Sequence, residues 1–196
     1  WSMIIKSALK KRECAELVEY FDASANKNNE TDEFYGGSTG LYQPPVSLKH
    51  VGALEKIIAK QYGPLVFQNT YMRSYTENSM LKLHTDRPGL DVTLTVCLEH
   101  NFDGEYPLLV SNNAWEGLWY NNLEDYSAWM EDNTATELAV GQGVVVEGCK
   151  YPHWREAFPF STRGVYIFYH WAYYIVSHFK IKRTCRYLVL TQASLN

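Results

Sequence analysis

The chain has 196 residues, of which 46% are hydrophobic and 20% charged, and it carries a formal net charge of -4 with a pI near 5.9. This composition excludes an intrinsically disordered chain, and the acidic balance argues against a nucleic-acid partner. No apolar stretch approaches the roughly 20 residues that a membrane-spanning helix needs, so no membrane insertion is expected. The length predicts one domain over 1–196.

The four cysteines are scattered along the chain, without a C-x-x-C pair and without a recognisable secretory leader before them. We therefore expect reduced thiols and a cytoplasmic location. The basic run Lys180–Arg183 is the best candidate for a local positive patch, but a solvated strand edge is the preferred interpretation.

Two helices are predicted in the N-terminal part, which spans about 1–64. Apolar residues near helical spacing predict an amphipathic helix over 6–21, and a second helix over 48–61 ends before Gly63. Residues 22–45 are rich in Asn, Gly and Ser and are predicted as a loop.

From residue 65 onward the hydrophobic period changes to two, which predicts strands over 65–75 and 91–99. The second of these has an apolar face and a mostly polar face, and the polar face is predicted to line a pocket. Shorter strands are predicted over 106–110, 143–147, 164–171 and 187–191, with an inserted excursion over 111–134. The fold class is therefore mainly β: a double-stranded β-helix, or jelly roll, over about 65–196, with the N-terminal helices packed on one sheet.

His84, Asp86 and His153 are the candidate metal ligands. An H-x-D triplet alone is weak evidence, since about 0.2 are expected by chance in this composition. In an extended chain, however, residues i and i+2 point to the same side, so His84 and Asp86 can reach one ion. His153 follows the strand predicted over 143–147 and can supply a third donor. Two imidazoles and one carboxylate are the donor set of non-haem Fe(II) oxygenases.

Arg163 is the candidate partner for a carboxylate. It heads the predicted strand over 164–171 and shares a face with Val165, Ile167 and Tyr169, where an unpaired charge would be costly. We expect that face to line the pocket, so that the guanidinium binds the far carboxylate of an iron-chelating 2-oxo acid. The alternative is an internal salt bridge to Asp or Glu.

These residues resemble the Fe(II)/2-oxoglutarate-dependent dioxygenase superfamily, and the order of helices and strands is most similar to its prolyl 4-hydroxylase-like branch. The likeness covers about 65–171. In that branch the H-x-D is followed by a Thr-bearing strand, here Thr93–Leu98, and by a glycine-rich turn, which here is Asn101–Glu105 with one glycine.

The resemblance implies Fe(II), 2-oxoglutarate as cosubstrate and O2, with ascorbate as an optional addition. It implies that His84, Asp86 and His153 hold the iron and that Arg163 binds 2-oxoglutarate. Further cosubstrate contacts are implied for Tyr75, Tyr71 and Thr95, although packing is an equal alternative for the two tyrosines. Cys97 stands where some relatives have another tyrosine that contacts the cosubstrate.

The implied reaction decarboxylates 2-oxoglutarate to succinate and CO2 and hydroxylates a substrate, for which peptidyl proline or a similar peptide group is the first hypothesis. A small metabolite or free amino acid is the alternative partner. The nucleic-acid repair branch needs a second arginine after the distal histidine, which Ser161–Gly164 does not provide. From another class, a non-catalytic jelly-roll module or a zinc hydrolase stays open, because zinc accepts the same donors. The oligomeric state is not predicted.

The remaining histidines, His50, His100, His170 and His178, are expected at the surface or in packing, with His170 facing opposite to Arg163. Trp154 and Arg155 flank the distal histidine, and both substrate contacts and packing are open for them.

Overall fold

Two antiparallel sheets and two longer helices make up the described chain. The computed structural model describes residues 2–24, 27–29, 37–117 and 127–174. The elements in chain order are β1 (Ser2–Ile5), α1 (Lys11–Ala23), β2 (Asn28–Asn29), β3 (Thr39–Tyr42), a 3-10 helix (Pro45–His50), α2 (Val51–Tyr62), β4 (Leu65–Tyr75), β5 (Leu81–His84), β6 (Val92–Asn101), β7 (Leu108–Ser111), α3 (Ser127–Met130), β8 (Asn133–Thr136), β9 (Gly143–Val146), β10 (His153–Arg155) and β11 (Arg163–Tyr173).

The strands form a large and a small sheet. The large sheet has the order β1-β9-β6-β11-β4-β3-β2 and the small sheet the order β5-β10-β7-β8. Apolar side chains of both sheets meet in one buried cluster, so the sheets pack face to face. This arrangement confirms the predicted mainly-β jelly roll.

A second buried cluster lies on the other face of the large sheet, beneath the helices. Leu17 of α1 and Ile58 of α2 are fully buried there, against residues such as Leu94 and Ile167 of the sheet. The helices therefore pack on one sheet, as predicted.

The N-terminal prediction needs two corrections. The first helix begins at Lys11 rather than near residue 6. At this start the Lys10 backbone N–H donates to the Glu13 carboxylate at 2.7 Å, which satisfies one of the N–H groups that the first helical turn leaves unpaired. Residues 2–5, for which no element was predicted, form β1, which pairs with β9. The predicted loop over 22–45 also contains β3, which pairs with β4.

Some predictions fall outside the described residues: the strand over 187–191, the basic run Lys180–Arg183, His178, Cys185 and the middle of the 111–134 excursion. Cys14, Cys97 and Cys149 are buried, and the Cys149 thiol donates to the Arg87 carbonyl oxygen at 3.2 Å. In the described ranges, no helix is long and apolar enough to cross a membrane.

Two irregularities in register change which way side chains point. On β4 the pairing with β11 skips Gln68, so Phe67 packs beneath the helices whereas Asn69 faces the space between the sheets. On β6 the pairing skips Leu98, which directs Glu99 to the helix side. An extra residue in one strand shifts the alternation that follows it, so the predicted single faces of these strands are only partly correct.

Replacement of Leu17 by alanine is expected to lower the free energy of unfolding by about 2–5 kcal/mol, because it leaves a cavity between α1 and the large sheet. Urea unfolding followed by circular dichroism measures this change. Glu19→Ala, on the exposed side of the same helix, is the matched control and should stay within about 0.5 kcal/mol of the parent. Equal effects of both substitutions would contradict the packing described.

Candidate metal centre

His84, Asp86 and His153 converge at one end of the space between the sheets. His84 ends β5 and His153 begins β10, and the two residues are directly paired across these strands. The Asp86 Oδ1 atom lies 3.8 Å from Nε2 of His84 and 3.7 Å from Nε2 of His153. One ligand atom from each of the three lies within 4.8 Å of the others. The structure therefore brings the three predicted ligands together.

Backbone carbonyls fix the orientation of both imidazoles. The His84 Nδ1 atom lies 2.8 Å from the Lys82 carbonyl oxygen, and the His153 Nδ1 atom lies 3.0 Å from that of Tyr151. A carbonyl can only accept, so each Nδ1 carries a proton, and in the neutral form of each ring the lone pair is then on Nε2, where it can bind a metal. This arrangement of a ligand imidazole and its backbone partner is common in metal sites.

The protonation states also suit metal binding. Burial, together with the charge of His153, lowers the pKa of His84 to about 4, so this ring is neutral at neutral pH. Burial favours the protonated form of Asp86, but the positive charge that His153, His170 and His84 carry when they are protonated, together with the hydrogen bond from Thr93, outweighs burial and lowers the carboxyl pKa. The Thr93 hydroxyl donates to Asp86 Oδ2 at 2.5 Å and leaves Oδ1 directed at the histidines.

Gly148 is a residue of the centre that the sequence analysis missed. Its carbonyl accepts the Asp86 N–H at 2.8 Å, and a Cβ atom at this position would lie 1.8 Å from Asp86 Oδ2. Only glycine leaves room for the carboxylate. The signal in the sequence was a lone glycine shortly before the distal histidine, which is too common to single out.

Gly148→Ala is expected to displace the Asp86 carboxylate and to weaken binding of Mn(II) or Ni(II) by about tenfold or more, the usual effect of disturbing a ligand's support. Isothermal titration calorimetry measures the affinity. Gly52→Ala is the control, since nothing lies within 4 Å of a Cβ there and the residue is helical. Unchanged metal affinity in Gly148→Ala would contradict this geometry.

The triad lines a cavity of about 410 Å³ between the sheets. Of the predicted cosubstrate contacts, Thr95 and Tyr71 also line it. Tyr75 is fully buried one layer deeper, with its ring 5.5 Å from that of Tyr106 and 5.8 Å from that of Tyr166. The predicted polar face of the 91–99 strand, represented by Thr93 and Thr95, does line a pocket.

His170 corrects the prediction that the other histidines lie at the surface or in packing. It faces opposite to Arg163, as predicted, and this direction leads into the cavity. Its Nδ1 atom lies 2.8 Å from Asn69 Oδ1, which orients the ring beside Asp86. Burial lowers the pKa of His170, so the ring is neutral at neutral pH.

Arg163 does not lie where it was predicted. Its guanidinium donates to both Glu99 carboxylate oxygens at 2.8 and 3.0 Å and to both Asp22 oxygens at 2.7 and 2.8 Å. The face that Arg163 shares with Val165 and Ile167 packs beneath the helices rather than lining the cavity. The prediction that this face lines the pocket is wrong, and the internal salt bridge that was its alternative is present.

Arg163→Gln is expected to lower stability at neutral pH through the loss of this ion-pair cluster. Hydrogen bonds from Arg163 lower the pKa of Asp22 in the folded state. The contribution of Asp22 is therefore present above its unfolded pKa of about 3.9, and it is lost as the pH falls through the folded value. Urea unfolding should show a larger difference between parent and variant at pH 7 than at pH 2.5. An equal difference at both pH values would contradict the assignment.

No protein-family model and no curated protein matches this sequence, whereas solved structures do match the chain. A Pseudomonas putida prolyl-4-hydroxylase has a TM-score of 0.64 at 14% identity, over 87% of this chain and 91% of that one. The chain has the fold of the 2-oxoglutarate-dependent oxygenases.

Two further structures with this fold are similar over 87% of the chain. One is a Trichoplax adhaerens prolyl hydroxylase in complex with a peptide fragment, at TM-score 0.64, 14% identity and 83% of that chain. The other is HygX from Streptomyces hygroscopicus with nickel and 2-oxoglutarate bound, at TM-score 0.63, 10% identity and 82% of that chain. At these identities the likeness establishes the fold, and the chemistry has to be argued from the site.

Proposed function

We propose that the protein is an Fe(II)- and 2-oxoglutarate-dependent dioxygenase that hydroxylates an organic substrate. The observation that carries this proposal is the convergence of His84, Asp86 and His153 in a cavity of the oxygenase fold. Two imidazoles and one carboxylate suit Fe(II) and leave coordination positions for other ligands.

Each ligand is held by this chain before any metal binds. The two Nδ1 contacts set the ring orientations, and Thr93 and Gly148 set the carboxylate. A preorganised ligand set of this kind loses little side-chain entropy when an ion binds. The centre therefore fits a resident metal ion rather than a chance cluster of polar residues.

Bound Fe(II), with 2-oxoglutarate and O2, would supply the oxidation: 2-oxoglutarate becomes succinate and CO2 while a substrate C–H becomes C–OH. The residues of this chain bind, orient and shield the reactants. Leu90 and Phe168 line the cavity beside the triad and reduce its exposure to water. His170 presents a fixed polar ring edge to the same space. No side chain has to act as a general acid or base.

His84→Ala is expected to abolish metal-dependent 2-oxoglutarate turnover. Without oxygen, the parent protein with Fe(II) and 2-oxoglutarate should show a visible metal-to-ligand charge-transfer band, and His84→Ala should lose it because a ligand is missing. His100→Ala is the control, since His100 stacks on Phe102 away from the triad and should keep the band. Tight zinc binding with neither band nor succinate formation would overturn the proposal in favour of a zinc site.

For the substrate we propose peptidyl proline or a similar peptide group. The Pseudomonas putida and Trichoplax adhaerens neighbours are prolyl hydroxylases. Tyr42 and Tyr71 line the cavity with ring centroids 6.4 Å apart. Tyr42 is 56% exposed, so these aromatic rings offer a surface on which a prolyl ring can pack.

A small metabolite is the second candidate. One neighbour has also been solved with hygromycin B bound, and aromatic rings stack on sugars as well as on proline. A screen of peptides, amino acids and small metabolites for substrate-stimulated succinate release distinguishes the two. Stimulation by metabolites alone would overturn the peptide hypothesis.

A further inference from the structure

Arg155 is a buried cation between the two sheets. Its side chain follows His153 on the same face of β10 and is 1% exposed. Nη1 donates to the Tyr106 carbonyl oxygen, whereas Nε and Nη2 have no hydrogen-bond partner among the described residues. Within the same part of the chain, no carboxylate forms an ion pair with Arg155.

Three tyrosine rings surround this guanidinium. Its Cζ atom lies 4.2 Å from the ring centroid of Tyr166, 5.1 Å from that of Tyr106 and 5.9 Å from that of Tyr75. Cation–π contacts offset part of the cost of burying the charge, but they leave the N–H groups of Nε and Nη2 without acceptors. The Tyr166 hydroxyl is likewise buried and has no partner among the described residues. Burial raises the pKa of Tyr166, so this hydroxyl stays a donor.

The unpaired donors belong to residues that adjoin the cavity lining on two strands without being part of it. His153 and Phe168 line the cavity, and Arg155 and Tyr166 are the next residues on the same faces of β10 and β11. A step of two residues along a strand spans about 6.6 Å. A fully extended five-carbon dicarboxylic acid has a comparable length. Such a molecule, bound at the triad through one end, therefore matches the step from His153 to Arg155 along β10.

On the interior side of the sheet, the start of β11 holds an aromatic ring and no cation. Gly164 follows Arg163 on the interior side, where a Cβ atom would lie 3.1 Å from the Tyr166 ring. Because residue 164 has no side chain, the Tyr166 ring can occupy this space and contact Arg155. Arg163 is meanwhile engaged by two carboxylates on the opposite face.

Arg73 is the other buried arginine near the triad, and it lines the cavity wall itself. Its Nη1 donates to the Ser38 hydroxyl at 2.6 Å, and its guanidinium lies 4.9 Å from the Tyr71 ring centroid. Arg73 thus already has a side-chain acceptor, whereas Arg155 has none among the described residues. A bound anion would therefore offset more of the cost of charge burial at Arg155 than at Arg73.

We propose that Arg155, assisted by the Tyr166 hydroxyl, binds the far carboxylate of the 2-oxo acid cosubstrate, in place of the arginine at the start of β11. This inference rests on the proposed function. The methylene groups of the cosubstrate then lie against Leu81, Leu108 and Phe168, which line the cavity.

The test compares 2-oxoglutarate with 2-oxopentanoate, which keeps the keto-acid end but has a methyl group in place of the far carboxylate. Calorimetric titrations use the full chain loaded with Ni(II), so that no turnover occurs. The parent should bind 2-oxoglutarate more tightly than 2-oxopentanoate. The affinity of Arg155→Met for 2-oxoglutarate should be at least about 30-fold lower than that of the parent, as expected when one partner of a buried charge pair is removed. Its affinity for 2-oxopentanoate should change little.

Matched variants make the result specific. Arg163→Met and Arg73→Met should keep the preference for 2-oxoglutarate. The affinity of Tyr166→Phe for 2-oxoglutarate should be about tenfold lower than that of the parent, because one hydrogen bond to a charged group is removed without loss of side-chain volume. Arg155→Met should stay folded, with an unchanged or higher melting temperature in the absence of ligand, because it removes an uncompensated buried charge.

Two results would overturn the inference while the proposed function stands. One is a 2-oxoglutarate affinity in Arg155→Met that equals that of the parent. The other is a loss of 2-oxoglutarate affinity in Arg73→Met or Arg163→Met instead of in Arg155→Met. If Arg155→Met does not fold, Tyr166→Phe decides, and parent-like affinity there overturns the inference. Failure of the parent with Ni(II) to bind 2-oxoglutarate at all would instead overturn the proposed function and the inference with it.

Discussion

The antiparallel pairing of β5 with β10 places His84 directly opposite His153, and the metal centre depends on this register. A slip of one residue in either strand would turn one imidazole out of the space between the sheets. The packing of the small sheet against the large one stabilises the pairing. Asp86 then reaches the same point because the chain after β5 is held to Gly148 by a backbone hydrogen bond. The ligands are thus positioned by sheet geometry more than by their own contacts.

The large sheet separates two environments, and β11 has one face in each. Val165, Ile167 and Tyr169 pack beneath the helices, whereas Tyr166, Phe168 and His170 point between the sheets. Helix packing needs the aliphatic face, since it buries apolar area. The interior face can carry polar aromatic residues because it borders a cavity. This division explains why an arginine on the aliphatic face pairs with Asp22 and Glu99 rather than with a ligand.

Much of the centre could be predicted because its signals are local. The period of two in β4 and β6, the i, i+2 spacing of His84 and Asp86, and the alternation of Thr93 and Thr95 all follow from strand geometry. The short strands β1, β8 and β10 have three or four residues each. A period of two cannot be recognised reliably in so few positions.

The wrong predictions for Arg163 and His170 share one cause. The alternation of residues along a strand defines two faces, but it does not show which face points into the space between the sheets. Skipped residues at Gln68 and Leu98 further exchange the faces within β4 and β6. The sequence by itself determined the strand periodicity, the donor types and their i, i+2 spacing, because these depend on residues adjacent in the chain. Only the tertiary structure decided that Arg163 is outside and that Arg155 and His170 are inside. That choice depends on which face the helices cover and on how distant strands align, and both are contacts between residues far apart in sequence.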